Sequence, residues 1–164
     1  RGLDRRSIVM RSLGTQPLLY SGDSKMRRGM NAGNRVHVYV DVSGSMGGVI
    51  SAVYGAVHDC REWVHPLIHL FSNNVSDTDP QEIRKGIVRS TGGTNIACVA
   101  EHMAANSVRR ACIITDGWVG KPGGRHFKTL ARAKLGVAMV GERVNLNDLS
   151  EVTNRAVTLT ASGG

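Results

Sequence analysis

Aromatic residues are scarce, at two Trp, three Tyr and two Phe in 164 residues. None is interleaved with the arginines near the start of the chain, which argues against a platform that stacks single-stranded bases. Cysteine is scarcer still. Cys60, Cys98 and Cys112 are an odd set with no C-x-x-C spacing, each inside an apolar stretch. They read as buried free thiols, which favours a reducing compartment and a cytoplasmic setting. Nowhere does an apolar run approach the ~18 residues that a membrane-spanning helix needs, so no membrane partner is expected. The chain starts at Arg1 without an initiator Met or a charged-then-apolar leader, and so reads as a fragment or a processed product.

What is present fits one domain of ordinary size, long enough to bury a core without staples. Hydrophobic residues at 41% and charged residues at 21% are near the values of soluble globular proteins, which sets disorder aside. The net charge of +8 is uneven. Residues 1–35 hold eight Lys/Arg against two Asp/Glu, whereas residues 36–164 hold thirteen against eleven. The expected division is a basic N-terminal segment over 1–34 and an α/β domain over 35–164. The segment is either solvated, packed on the domain, or a contact for nucleic acid or an acidic surface. Its one strand-like piece is residues 17–20, and Gly22, Gly29 and Gly33 punctuate the rest.

From Arg35 the pattern alternates. Residues 36–42 are β-branched and apolar, as in a strand covered on both faces. A helix is predicted over 49–64, because Ile50, Val53, Tyr54, Val57, Cys60 and Val64 recur at three- and four-residue spacings and Pro66 would end it. Further strands are predicted over 67–71, 75–78, 111–115, 136–140 and 156–159. A short helix after Pro80 and helices over 95–106, 127–133 and 146–151 separate them. Strands alternating with crossover helices imply a doubly wound, mostly parallel sheet of about six strands, with helices on both faces.

Three loops would meet beyond the carboxyl ends of these strands: 41–45, 91–94 and 116–117. Asp41, Ser43, Ser45, Thr94 and Asp116 offer carboxylates and hydroxyls, with no imidazole or thiolate. Such oxygen donors suit a hard cation, above all Mg²⁺, with Mn²⁺ or Ca²⁺ as substitutes. Five protein groups leave room in an octahedron for water and an external ligand. Gly44, Gly47 and Gly48 allow a tight strand-to-helix turn, and the helix start beyond it favours an incoming anion.

Asp41-x-Ser43-x-Ser45, Thr94 in Gly-Gly-Thr-Asn and Asp116 in Thr-Asp-Gly together resemble the metal-ion-dependent adhesion site of von Willebrand factor A domains. With the flanking strands the resemblance covers about residues 35–160, four-fifths of the chain. It implies that Ser43, Ser45 and Thr94 ligate the metal, that Asp41 and Asp116 hold it through waters, and that a partner Asp or Glu completes the shell. Gly44, Met46, Gly93, Gly117 and Trp118, on the same loops, would face that partner. The form Asp-Val-Ser-Gly-Ser-Met is most similar to intracellular prokaryotic members that work beside AAA+ ATPases of the MoxR type, which implies an adaptor rather than an enzyme. The alternative is a nucleic-acid-associated module that binds through its basic segment and uses the metal structurally.

Other readings of the same residues are weaker. Ser45 could cap a helix and Asp116 could sit in an Asx turn, but three such coincidences would have to share one crevice. Ser43-Gly44-Ser45-Met46-Gly47 approximates a hydrolase elbow, with Asp116 and His126 following in hydrolase order. His126 lies only ten residues past Asp116, however, and no second oxyanion motif is evident. Residues 117–122 lack the P-loop spacing, and a dehalogenase-like phosphatase would need an Asp where Ser43 stands. His65 and His69 are four apart, but Pro66 breaks any helix between them, so no shared-face zinc pair is expected. His102 is expected on a helix surface. Trp118 either anchors a partner or packs on the sheet end.

Overall fold

The computed structural model describes residues 35–46, 50–85 and 92–159, all within one compact unit, Asn34–Gly164. The basic segment with its strand-like residues 17–20, and Gly47, Gly48 and Thr91, lie outside the described residues.

Six strands form one sheet: β1 (His37–Asp41), β2 (Ile68–Phe71), β3 (Val75–Thr78), β4 (Arg110–Thr115), β5 (Lys134–Val140) and β6 (Arg155–Leu159). Their order is β3-β2-β1-β4-β5-β6, and only the β2–β3 pair is antiparallel. The helices are α1 (Ile50–Asp59), α2 (Pro80–Arg84), α3 (Ile96–Ala105) and α4 (Gly124–Arg132), with a single 3₁₀ turn at Gly44–Met46. The chain thus runs outward from β1 to β2 and β3, then returns through α3 to pair β4 on the other side of β1. Between β1 and β4 the order reverses, which opens a crevice beyond their carboxyl ends.

Strand period decides which core each residue joins. Tyr39, Phe71 and Ile113 bury with Ile96, Val99, Ala100 and Met103 of α3 and Leu130 of α4. Val38, Val40, Leu70 and Ile114 bury with Val53 and Val57 of α1 and Ile83 of α2. Each of these aliphatic side chains contributes about 1.5–3 kcal/mol by leaving water. Alternate residues of β1 therefore serve opposite clusters, and helices cover both. β6 closes the sheet with every residue exposed, including Val157 and Leu159.

Several expectations are corrected. Helix α1 ends at Asp59 rather than residue 64. Its last carbonyls enter tight turns, with Cys60 N–H donating to Ala56 and Trp63 N–H to Cys60, so that Val64 is free to bridge Val36 in parallel. Residues 146–151 form turns, not a helix: Leu149 N–H donates to Leu146 and Val152 N–H to Leu149, while Leu149 and Val152 bury. Cys60 is exposed and Cys98 and Cys112 are only partly buried, so the buried-thiol reading fails; all three are free. Among the described residues, no helix is long and apolar enough to cross a membrane.

Candidate metal centre

β1 runs straight into the first loop. Asp41 is its last residue and is fully buried, because the apolar strand carries it under the loop that follows. One carboxylate oxygen, Oδ1, accepts from Ser43 N–H at 2.9 Å and from Thr94 Oγ1 at 3.3 Å. The other, Oδ2, accepts from Thr115 Oγ1 at 2.7 Å. A buried carboxylate is costly unless each lone pair finds a donor, and here both oxygens do.

Thr115 is the last residue of β4 and is also fully buried. Its hydroxyl accepts from Gly117 N–H at 3.0 Å while donating to Asp41, so it ties the β4 loop to the end of β1. Asp116 is then turned toward the serine loop. Its Oδ2 accepts from Ser45 Oγ at 2.6 Å, and its Oδ1 from the backbone N–H of Trp118 at 3.1 Å. Ser43 Oγ and Ser45 Oγ lie 3.2 Å apart. Thr94 is placed by the start of α3: Asn95 caps that helix by accepting from Ala97 N–H, and its own N–H donates to the Ser72 carbonyl.

All five residues expected at the metal thus fall into one connected hydrogen-bonded set, drawn from three loops. Sequence reading missed Thr115, although its place immediately before Asp116 at a strand end was a usable signal. Ser45 is exposed, Ser43 and Thr94 are half-buried, and both carboxylates sit at or below 9% exposure. Hydroxyls therefore face out from a floor of carboxylates. The donors are all oxygen, as a hard divalent cation requires. Asp41 accepts from three donors, which suits it to orienting the loop and to holding an ion through water.

The residues expected to face a partner divide. Gly44 and Gly93 are exposed. Trp118 is 62% exposed, with its indole N–H donating to the Arg143 carbonyl at 3.1 Å, so it stands out from the loop and does not pack on the sheet end. Met46 is instead wholly buried among Val38, Val40 and Val53, since the 3₁₀ turn points it into the core. Gly117 is buried too; its φ of +90° and an added Cβ only 2.1 Å from the Asn145 carbonyl oxygen make it a packing glycine, not a contact. His126, the base of the hydrolase alternative, lies 3.2 Å from Glu101 Oε1 beside Arg125, away from the serine–aspartate pair in its bonding.

A second polar cluster was not foreseen. His37, Tyr39, His69, Asp77 and His102 join side chains across β1, β2, β3 and α3. His102, expected on the surface, is 18% exposed and bonded to the Tyr39 hydroxyl. Burial, with neighbouring imidazoles, lowers the His37 pKa to about 4, and burial lowers that of His69. Burial raises the Tyr39 pKa. Burial pushes the Asp77 carboxyl up, but the His69 hydrogen bond outweighs it and holds Asp77 below its ordinary value.

No family model matches this chain, and no curated protein matches it.

Proposed function

We propose that this protein is a metal-dependent protein-recognition domain with a von Willebrand factor A arrangement, doubly wound, binding Mg²⁺ at Asp41, Ser43, Ser45, Thr94 and Asp116. The observation that carries the reading is the hydrogen-bonded convergence of those five side chains at the crevice where strand order reverses. Mg²⁺ bound there supplies a positive charge with an open coordination position, for which an Asp or Glu of a partner protein is a fitting ligand. Ser45 and Thr94 hydroxyls, whose protons now point at carboxylates, would turn their lone pairs to the ion. Mn²⁺ or Ca²⁺ could stand in. Exposed Trp118, one residue past Gly117, gives a partner an apolar anchor beside the ion. Recognition is favoured over hydrolysis because His126 bonds to Glu101, while Ser45 donates to Asp116 without an imidazole between them.

Calorimetric titration of the chain with MgCl₂ tests the first half of this. The expectation is one site, weakened at least about tenfold by Ser45→Ala and by Asp116→Asn. Capture of partners from native lysate, with and without EDTA, tests the second half. Capture that survives both EDTA and Ser45→Ala would overturn recognition through the metal; a Mg²⁺ titration without heat would overturn the site itself.

A further inference from the structure

Two residues back along β1 from Asp41, on the same face of the sheet, stands Tyr39, and the parallel register sets His69 of β2 beside it. β3 pairs Asp77 with His69, and α3 lays His102 over both. His69 Nδ1 is 2.6 Å from Asp77 Oδ1, and His102 Nε2 is 3.3 Å from the same oxygen. The three ligand atoms lie within 4.8 Å of one another.

We propose that His69, His102 and Asp77 form a second metal site, which takes Zn²⁺ through two imidazole nitrogens and one carboxylate oxygen and leaves a fourth position to solvent. Tetrahedral zinc with bonds of about 2.0–2.2 Å sets its donors roughly 3.3 Å apart. The His102–Asp77 separation of 3.3 Å already has that value, and the His69–Asp77 separation of 2.6 Å must open by about 0.7 Å.

The surroundings fit a metal site in a way that a chance histidine pair would not. A ligating imidazole needs its second nitrogen held, usually by a carboxylate, a carbonyl or water. His102 Nδ1 is 2.9 Å from the Tyr39 hydroxyl, and His69 Nε2 is 2.9 Å from His37 Nδ1. Without metal, His69 donates to Asp77 and accepts from His37, while His102 holds Nε2 at ion-pair distance from the same carboxylate and accepts from Tyr39. With metal, each imidazole would present its lone pair to the ion and donate from its other nitrogen. A hydroxyl and an imidazole are partners that can reverse roles, so neither state leaves a buried nitrogen unpaired. Exposure runs from 2% at His69 through 18% at His102 to 44% at Asp77, so the site is walled on the protein side and open at the carboxylate.

A rival grouping shares His69. His37, His65 and His69 also offer nitrogens within 4.8 Å. There, however, His37 and His69 face each other nitrogen to nitrogen at 2.9 Å in rings only 12° from parallel, and His65 stacks on His37 at 4.3 Å between centroids. Their lone pairs do not converge on one point without turning two rings. The two imidazoles at Asp77 are already tilted by 51°. The oxygen-only site at Asp41 and the nitrogen-rich site at His69 would then sort hard from borderline cations.

Co²⁺ is the probe, because its d–d absorption reports tetrahedral nitrogen and oxygen ligation. The chelator-treated chain is titrated with CoCl₂ and back-titrated with ZnCl₂. One Co²⁺ per chain should bind with tetrahedral absorption and yield to Zn²⁺. Asp77→Asn and His102→Gln should each weaken binding by at least about tenfold, with circular dichroism unchanged. Tyr39→Phe, at a positioning residue, should weaken it less and keep the absorption. Ser45→Ala should leave it intact, so this site and the Mg²⁺ site stand or fall separately. Absence of tetrahedral absorption would overturn the proposal, as would binding that His65→Gln abolishes while Asp77→Asn and His102→Gln do not.

Discussion

Thr115 bears more of the metal centre than its size suggests. Its one hydroxyl donates to Asp41 Oδ2 and accepts from Gly117 N–H, both without access to water. Thr115→Val keeps the shape and leaves a carboxylate oxygen and an amide underbonded. An unsatisfied buried group costs about 1–3 kcal/mol, more when charged, so a loss of roughly 2–4 kcal/mol in urea unfolding is expected. Mg²⁺ affinity should fall with it, because Asp41 loses its anchor. Gly117 fails differently. At φ +90° an added methyl would meet the Asn145 carbonyl oxygen at 2.1 Å and the Met139 methyl at 2.4 Å, and Asn145 is fixed by donating to the Asp116 carbonyl. Backbone strain and overpacking together should cost Gly117→Ala roughly 2–5 kcal/mol in the same measurement. A variant as stable as the parent would show that the β4 loop yields where its bonding says it is fixed.

At the scale of elements, α3 joins the two polar sites: Thr94 stands just before it and His102 on its final turns. Asn95 holds its start by capping Ala97 N–H at 2.9 Å, so Asn95→Ala should cost about 1 kcal/mol in thermal or urea unfolding. It should also weaken Mg²⁺ binding modestly, since Thr94 loses its rigid neighbour; an unchanged midpoint would deny the cap its role. The strands were the most legible elements, because β1, β4 and β5 are near-continuous apolar runs, as strands covered on both faces must be. Helix α4 was seen only from residue 127, since its first turn opens on Gly123 and Gly124, which read as loop, and Gly123 offers no side-chain cap. Residues 146–151 carry apolar spacing but form successive turns, in which buried Leu149, with Val152 just beyond, satisfies a helix pattern without a helix. The Asp41 and Asp116 loops were legible because neighbouring strand ends in an alternating sheet must meet, and the Thr94 loop because it opens a crossover helix beside them. The histidine cluster was not, since its partners lie 32 and 63 residues apart, and the register of β1 on β2 together with α3 brings them into contact. The shared period-2 face of His37, Tyr39 and His69 was the available clue.

For the molecule as a whole, that cluster predicts how stability responds to acid. His37 is held at about 4, and His69 is also held below the ordinary 6.5, in both cases first by burial. Around His37 stand the imidazoles of His65, His69 and His102, which lower its pKa, and the Asp77 carboxylate, which raises it. In the unfolded chain both histidines titrate near 6.5. Between about pH 6.5 and 4 the unfolded chain therefore binds more protons than the folded one, and stability rises with pH. The contribution is fully present above the unfolded value and is lost as pH falls toward the folded one. Asp77, held low chiefly by His69 against the pull of burial, adds a second loss at still lower pH, below the ordinary carboxylate value. In EDTA, the urea midpoint should fall steadily from pH 7 to pH 5, and His37→Asn should flatten that slope. A midpoint independent of pH across this window would mean that the imidazoles gain protons in the folded protein as readily as in the unfolded chain, and so are charged there at the acid end. The hydrogen bonding that links β1, β2, β3 and α3 would then have to be redrawn with every ring nitrogen a donor.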